Sequence, residues 1–293
     1  MPPGIFKVKL NNGLEMPVLG LSTGQYVSEN KKETYDFITH AIDLGYRLFD
    51  CTYGSEEAIG DAIREKIIQG VVHRKDLFLV TKFECNSHGP ALQLVESTLT
   101  ATLKKLQTTY LDLCIIRCPV ATEKGAKLED SESDQYCDIV EMWNAMEILC
   151  MRHLIKAIGV STLSREQIDR ILNKCTKPPQ VNYVECHPFL NQSELRKYCE
   201  DKGIVVIHYC PLEESRNTDN CDGADVINDS RIKEIAGRYR KTPEQILIKY
   251  SLQLGNVVIP KKKNLMENMN VFDFWLAPED MSYMNSFSCN ESR

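Results

Sequence analysis

An aspartate, a tyrosine and a lysine stand at the ends of two early apolar runs, and an arginine ends the third. The first run reads Gly45-Tyr46-Arg47-Leu48-Phe49-Asp50-Cys51-Thr52-Tyr53, the second Leu77-Phe78-Leu79-Val80-Thr81-Lys82, and the third Leu111-Asp112-Leu113-Cys114-Ile115-Ile116-Arg117. A carboxylate that fixes an ammonium beside a phenol is a proton-donating device. A free phenol, with a pKa of about 10, is a poor donor near neutral pH. A nearby ammonium favours the phenolate, so Asp50 would hold Lys82 in place and Lys82 would make Tyr53 a better general acid. An arginine keeps its proton under ordinary conditions. Arg117 is therefore no proton shuttle, but it can hydrogen-bond a carbonyl oxygen and stabilise developing negative charge. Its damaging alternative is a bidentate pair with Asp50 that detaches Lys82. Plainer readings stand beside these: Asp50 as a helix cap, Lys82 as a solvated strand terminus, Tyr53 packed on a rim, and Arg117 as an ion-pair partner.

Residues from separate runs meet only if the fold brings the run ends together. Lys7-Val8-Lys9-Leu10, Asn11-Asn12-Gly13 and Leu14-Glu15-Met16-Pro17 read as a β-hairpin, since Asn-Gly supplies the positive φ of a tight turn. Thereafter short apolar runs alternate with longer amphipathic ones. Strands are expected over 19–23, 48–50, 77–82, 111–116, 155–160, 180–185, 205–209 and 257–260. Helices are expected near 31–43, 55–66, 90–106, 136–151, 164–174, 192–202, 231–252 and 265–272. Pro90, Ser164 and Thr242-Pro243-Glu244 carry helix-start chemistry. The strands are apolar throughout rather than alternating, as in a parallel sheet covered on both faces. Eight strand–helix units predict a (β/α)8 barrel that forms a single domain over 1–293. A doubly wound sheet is the alternative; it usually has a glycine-rich loop after its first strand, and Gly20-Leu21-Ser22-Thr23-Gly24 is no GxGxxG. The polar stretches 121–135 and 213–230 each follow a strand, at the mouth where barrel sites lie. Trp143 and Trp275 fall in apolar, near-helical patterns and read as core.

At 43% hydrophobic and 26% charged residues, the chain has the composition of a globular protein. Its net charge is −6, with no basic block beyond Lys261-Lys262-Lys263, which argues against a nucleic-acid-binding surface. No apolar run approaches the roughly 20 residues of a bilayer span, and Met1-Pro2-Pro3-Gly4 has no leader character. The twelve cysteines are scattered without CxxC or metal-ligand spacing and read as reduced, small apolar residues of a cytoplasmic chain. No heptad or exposed apolar stripe argues for assembly, so a monomer is expected.

Several ordered motifs resemble the aldo-keto reductases over nearly the whole length. They are Gly45-Tyr46-Arg47 before Asp50, Tyr53, Val80-Thr81-Lys82, Leu111-Asp112-Leu113 with Pro119, Lys156-Ala157-Ile158-Gly159-Val160-Ser161, Val181-Asn182-Tyr183-Val184-Glu185-Cys186-His187-Pro188, Tyr209 with Pro211-Leu212, and Val258-Ile259-Pro260-Lys261. The resemblance implies a (β/α)8 barrel with a hairpin plug and hydride transfer between NADPH and a small aldehyde or ketone. It implies Asp50, Tyr53 and Lys82 as catalytic residues, with Arg117 where the family has a histidine. The segment from Asp50 to Tyr53 is shorter than the family's. On the cofactor side it implies Asp50, Ser161 and Thr162 (an asparagine in the family), Tyr183 (a glutamine there), Tyr209 as the ring that stacks on nicotinamide, Leu212, Glu267 and Asn268. The family's 2′-phosphate-reading arginine is missing; Lys261, Lys262 and Lys263 would replace it as point charges. Cys210 replaces a serine, and Glu213 places a carboxylate near the pyrophosphate path. Three readings remain at this point: a reductase of small carbonyl compounds, a barrel that has lost catalysis and binds a ligand or serves a structural role, and an intermediate that binds cofactor weakly without efficient turnover.

Overall fold

The computed structural model describes residues 6–24, 31–84, 90–117, 138–210, 226–260 and 264–288. The hairpin forms as expected: β1 (Lys7–Lys9) pairs antiparallel with β2 (Glu15–Pro17), Val8 opposite Met16. Gly13, at φ 87°, makes the turn. Eight parallel strands follow: β3 (Gly20–Ser22), β4 (Leu48–Asp50), β5 (Phe78–Glu84), β6 (Leu111–Arg117), β7 (Ile155–Ser161), β8 (Val181–Glu185), β9 (Val205–Cys210) and β10 (Val257–Pro260). They are ordered consecutively from β3 to β10. Leu19 meets Val258 in a parallel bridge, and the Val258 amide donates to the Val18 carbonyl at 2.8 Å, which brings the last strand back to the first. The sheet is a barrel.

Because side chains alternate across a strand, each strand feeds two cores. One set, Leu48, Phe78, Val80, Leu113, Ile115, Ala157, Val181, Ile207, Val257 and Ile259, fills the lumen with Leu10 and Met16 of the hairpin below it. The other set packs outward against the helices. Gly159 makes room in the lumen layer: a Cβ there would lie 2.2 Å from the Val181 side chain.

Ten helices surround the sheet among the described residues: α1 (Lys31–Leu44), α2 (Glu56–Ile68), α3 (Ala91–Lys105), α4 (Ile139–Met151), α5 (Arg165–Leu172), α6 (Ser193–Asp201), α7 (Ser230–Tyr239), α8 (Pro243–Gln253), α9 (Leu265–Met269) and α10 (Pro278–Asn285). Ser164 and Gln167 form a reciprocal cap on α5, and Thr242 and Gln245 do the same on α8. The single helix expected over 231–252 is two. Arg240 turns left-handed at φ 55°, ending α7, and Thr242 caps a new start at Pro243. Helix α9 is shorter than expected, and α10 was not anticipated. Trp143 is fully buried on α4, its indole N–H donating to the Lys177 carbonyl at 3.1 Å. Trp275 is not core: it is 73% exposed between α9 and α10, with the Lys249 ammonium 4.2 Å from its ring centre.

A charge cluster clamps the end of the barrel opposite the mouth. Asp112, buried near the start of β6, accepts from Arg74 at 2.8 Å, from the Leu79 amide at 3.0 Å and from Lys156 at 3.1 Å. Arg74 and Lys156 each lie over the Tyr110 ring, at 4.1 and 3.8 Å from its centre.

Candidate active site

Alternation extends the lumen set to the strand ends. Asp50 follows Leu48, Lys82 follows Val80, Arg117 follows Ile115, Ser161 follows Gly159, Tyr183 follows Val181 and Tyr209 follows Ile207, each two residues on. These six positions ring the C-terminal end of the barrel, the face on which (β/α)8 enzymes carry their chemistry.

Asp50 and Lys82 meet as the sequence suggests. Strands β4 and β5 run in parallel with Asp50 opposite Val80, so Lys82 rises one alternation above. The Lys82 ammonium donates to Asp50 Oδ2 at 2.5 Å. Asp50 is 1% exposed, and its carbonyl takes both the amide and the hydroxyl of Thr23, which fixes the strand end. Arg117 does not capture it: Oδ2 is shared by Lys82 and Tyr183, and Oδ1 has no hydrogen-bond partner among the described residues. Arg117 itself ends β6 with an exposed side chain, opposite Ser161 in the register.

Tyr53 does not join this pair. It is 78% exposed, and the ammonium beside its ring is that of Lys105 on α3, 5.0 Å from the ring centre. The cause is the short segment. The Thr52 amide donates to Thr23 Oγ1 at 2.9 Å, the Ser55 amide to the Thr52 carbonyl at 3.2 Å, and Gly54 turns at φ 94° so that α2 starts at Glu56. A turn this tight directs the ring away from the lumen. The structure thus does not place Tyr53 beside Lys82, where the sequence expects it.

A different tyrosine reaches the pair. The Tyr183 hydroxyl donates to Asp50 Oδ2 at 3.0 Å, and the Lys82 ammonium lies 4.1 Å from the Tyr183 ring centre. Tyr183 also stacks on Tyr209, with centroids 5.2 Å apart and planes at 19°. Burial pushes the Tyr183 phenol well above its usual range, and the Asp50 carboxylate that accepts its hydrogen bond adds to the shift. The reading from sequence placed Tyr183 on the cofactor side and missed its bond to Asp50. The strand alternation that places both residues in the lumen was the available signal.

Ser161 donates its hydroxyl to the Tyr183 carbonyl at 3.2 Å, and the Thr162 amide donates to the same oxygen at 3.0 Å. Thr162 is left-handed at φ 50°. The Tyr209 phenol is raised by burial and by the nearby Glu185 carboxylate. On α9, Glu267 accepts from Thr242 and Asn264, each at 2.6 Å. Asn268 is fully buried, and neither side-chain atom has a hydrogen-bond partner among the described residues. Leu212, Lys261, Lys262 and Lys263 lie outside the described residues, as do Cys118 and Glu213.

His208 is fully buried on β9, and its ring nitrogens have no hydrogen-bond partner among the described residues. Burial lowers its pKa to about 3, with smaller contributions from the Arg196 and His187 charges. The unfolded chain therefore takes up a proton near pH 6.5 that the folded chain refuses until about pH 3. Stability from this residue is complete above pH 6.5 and falls as pH drops through that window. Between pH 6.5 and 5.5 the wild type should lose about 1 kcal/mol more than His208→Leu, read from urea unfolding at both pH values. Equal losses would remove His208 as the source.

The aldo/keto reductase family profile matches residues 18–288. The chain is 38% identical to aldo-keto reductase family 1 member C15 of Rattus norvegicus, over 97% of this chain and 91% of the relative. It is likewise 38% identical to prostaglandin F synthase 1 of Bos taurus, over 99% of this chain and 94% of that one. The solved aldose reductase of Schistosoma japonicum superposes with a TM-score of 0.81 at 32% identity, covering 98% of this chain and 94% of that structure. The chain belongs to the aldo/keto reductase family. Among the described residues, no helix is long and apolar enough to cross a membrane.

Proposed function

We propose that the chain is an NADPH-dependent reductase of small aldehydes or ketones, with Asp50 and Lys82 at its proton-supplying centre. The observation that carries this is the 2.5 Å pair of Lys82 with a buried carboxylate at adjacent strand ends of the barrel mouth. A family profile over most of the chain supports the reaction class.

The residues fit a dinucleotide unevenly. Asn268 offers one unpaired donor and one unpaired acceptor in a buried site, a combination a nucleobase edge satisfies. Tyr209 offers a ring for stacking, and one of its faces is covered by Tyr183. Bound NADPH would supply the hydride. The chain's own part is to hold the carbonyl oxygen and protonate it. Lys82, fixed by Asp50 and partly open to the mouth, donates an N–H to that oxygen and then yields a proton to the alkoxide. Arg117, at the next strand end, adds positive charge where negative charge develops. Tyr53 has no part, being turned outward. The protein would work in the cytoplasm as a monomer on small-molecule substrates.

A second reading, a barrel that binds its ligand without turnover, is favoured by one observation: the tyrosine that reaches Asp50 is held protonated by burial. Titrating the protein with NADPH by intrinsic fluorescence, then following NADPH loss on adding an aldehyde, separates the two. Saturable binding with aldehyde-dependent loss is expected. Binding without loss would favour the second reading, and no binding at millimolar NADPH would reject the reductase.

A further inference from the structure

We propose that Tyr183 is an internal plug of the site, a residue that occupies the face of Tyr209 on which the nicotinamide would stack and that sets how tightly NADPH binds. The inference rests on the reductase reading above.

Four observations place the plug. In the order β3 to β10, β4 and β8 are four strands apart in an eight-stranded barrel, so they face each other across the lumen. A hydrogen bond from Tyr183 on β8 to Asp50 on β4 therefore spans that lumen. The ring lies nearly parallel to Tyr209, at 5.2 Å, and so covers one face of it. The Lys82 ammonium sits against the same ring, 4.1 Å from its centre. Only 5% of Tyr183 is exposed, so the side chain is enclosed by its neighbours.

Each contact is of a kind that holds an aromatic side chain in place: a hydrogen bond to a charged acceptor, an aromatic stack and a cation–π contact. A planar ring that is to lie on this face of Tyr209, within reach of Lys82, must displace all three. The chain must swing Tyr183 aside before the nicotinamide end seats, and the fraction of molecules with Tyr183 aside scales the apparent affinity. The adenine end, at α9, is remote from this contest and binds independently of it.

The test uses the full chain as wild type, Tyr183→Phe and Tyr183→Gln. Each is titrated by calorimetry with NADPH and with 2′,5′-ADP, which carries the adenosine phosphates but no nicotinamide. Tyr183→Gln removes every aromatic contact and should bind NADPH roughly tenfold or more tightly than wild type. Tyr183→Phe keeps the stack but loses the bond to Asp50, and should fall between. Affinity for 2′,5′-ADP should be the same in all three. Unchanged or weaker NADPH binding in Tyr183→Gln, with 2′,5′-ADP binding intact, overturns the plug and leaves the reductase reading standing. If neither ligand binds any variant, the reductase reading fails and the plug falls with it. If Tyr183→Gln alone loses 2′,5′-ADP, its fold is damaged and Tyr183→Phe decides: NADPH affinity no better than wild type overturns the proposal.

Discussion

Lys82→Met is expected to lower aldehyde-dependent NADPH consumption by roughly 100-fold or more and to destabilise the fold by about 3–5 kcal/mol. Both effects follow from what the substitution leaves behind. Asp50 is left in a nearly sealed site, with one oxygen unpartnered among the described residues and the other bonded only to Tyr183. Removing one member of a buried pair costs more than the pair contributes, because the remaining charge is desolvated without compensation. At the same time the mouth loses the N–H groups that would hold the carbonyl oxygen. Lys82→Arg keeps the charge, yet its planar fork does not reproduce a single ammonium contact. Steady-state NADPH oxidation and urea midpoints would be compared for Lys82→Met, Tyr53→Phe and Lys105→Met. The last two concern the outward ring and its own cation, so their turnover should match wild type. A Lys82→Met protein with wild-type turnover would exclude the proposed proton source.

The second large effect lies at the opposite end of the barrel. Asp112→Ala should cost about 3–5 kcal/mol without touching the mouth. Its carboxylate joins an amide of β5, a guanidinium beyond the start of that strand and an ammonium of β7, so it links three segments at once. Its loss leaves Arg74 and Lys156 as like charges over a single tyrosine ring. Chemical denaturation reads the loss. If Asp112→Ala unfolds within 1 kcal/mol of wild type, the cluster is a surface arrangement rather than a clamp.

The barrel was legible because its signals are local and repeated. An Asn-Gly turn dictates a hairpin, and apolar runs of strand length between amphipathic segments dictate buried parallel strands. The broken helix was half-legible. Thr242 and Pro243 were read as a helix start, yet one helix is expected over 231–252, because the left-handed break falls on Arg240 rather than on a glycine that would mark it. Trp275 was misplaced because an aromatic in an apolar context looks like core, whereas it lies exposed between α9 and α10 with the Lys249 ammonium over its ring. At the site, residue type identified Asp50 and Lys82, since both end strands whose parity is fixed. The position of Tyr53 was not legible because a loop has no parity. Its direction depends on the turn built by Thr23, Thr52 and Gly54, where the contacts are long-range. Tyr183 had the parity, but its partner comes from across the lumen, a distance in sequence of 133 residues.

The hairpin has one more consequence. Leu10 and Met16 stop the lumen from below, while Asn11 bonds the Pro179 carbonyl at 2.8 Å and Asn12 the Lys156 carbonyl at 3.0 Å, fastening the stopper to two strand entrances. Among the described residues, the vessel is thus closed at the hairpin end. Every molecule that visits Lys82, and every solvent proton that recharges it, passes through the same doorway. Arrival of reactant, departure of product and re-equilibration with water must therefore take turns.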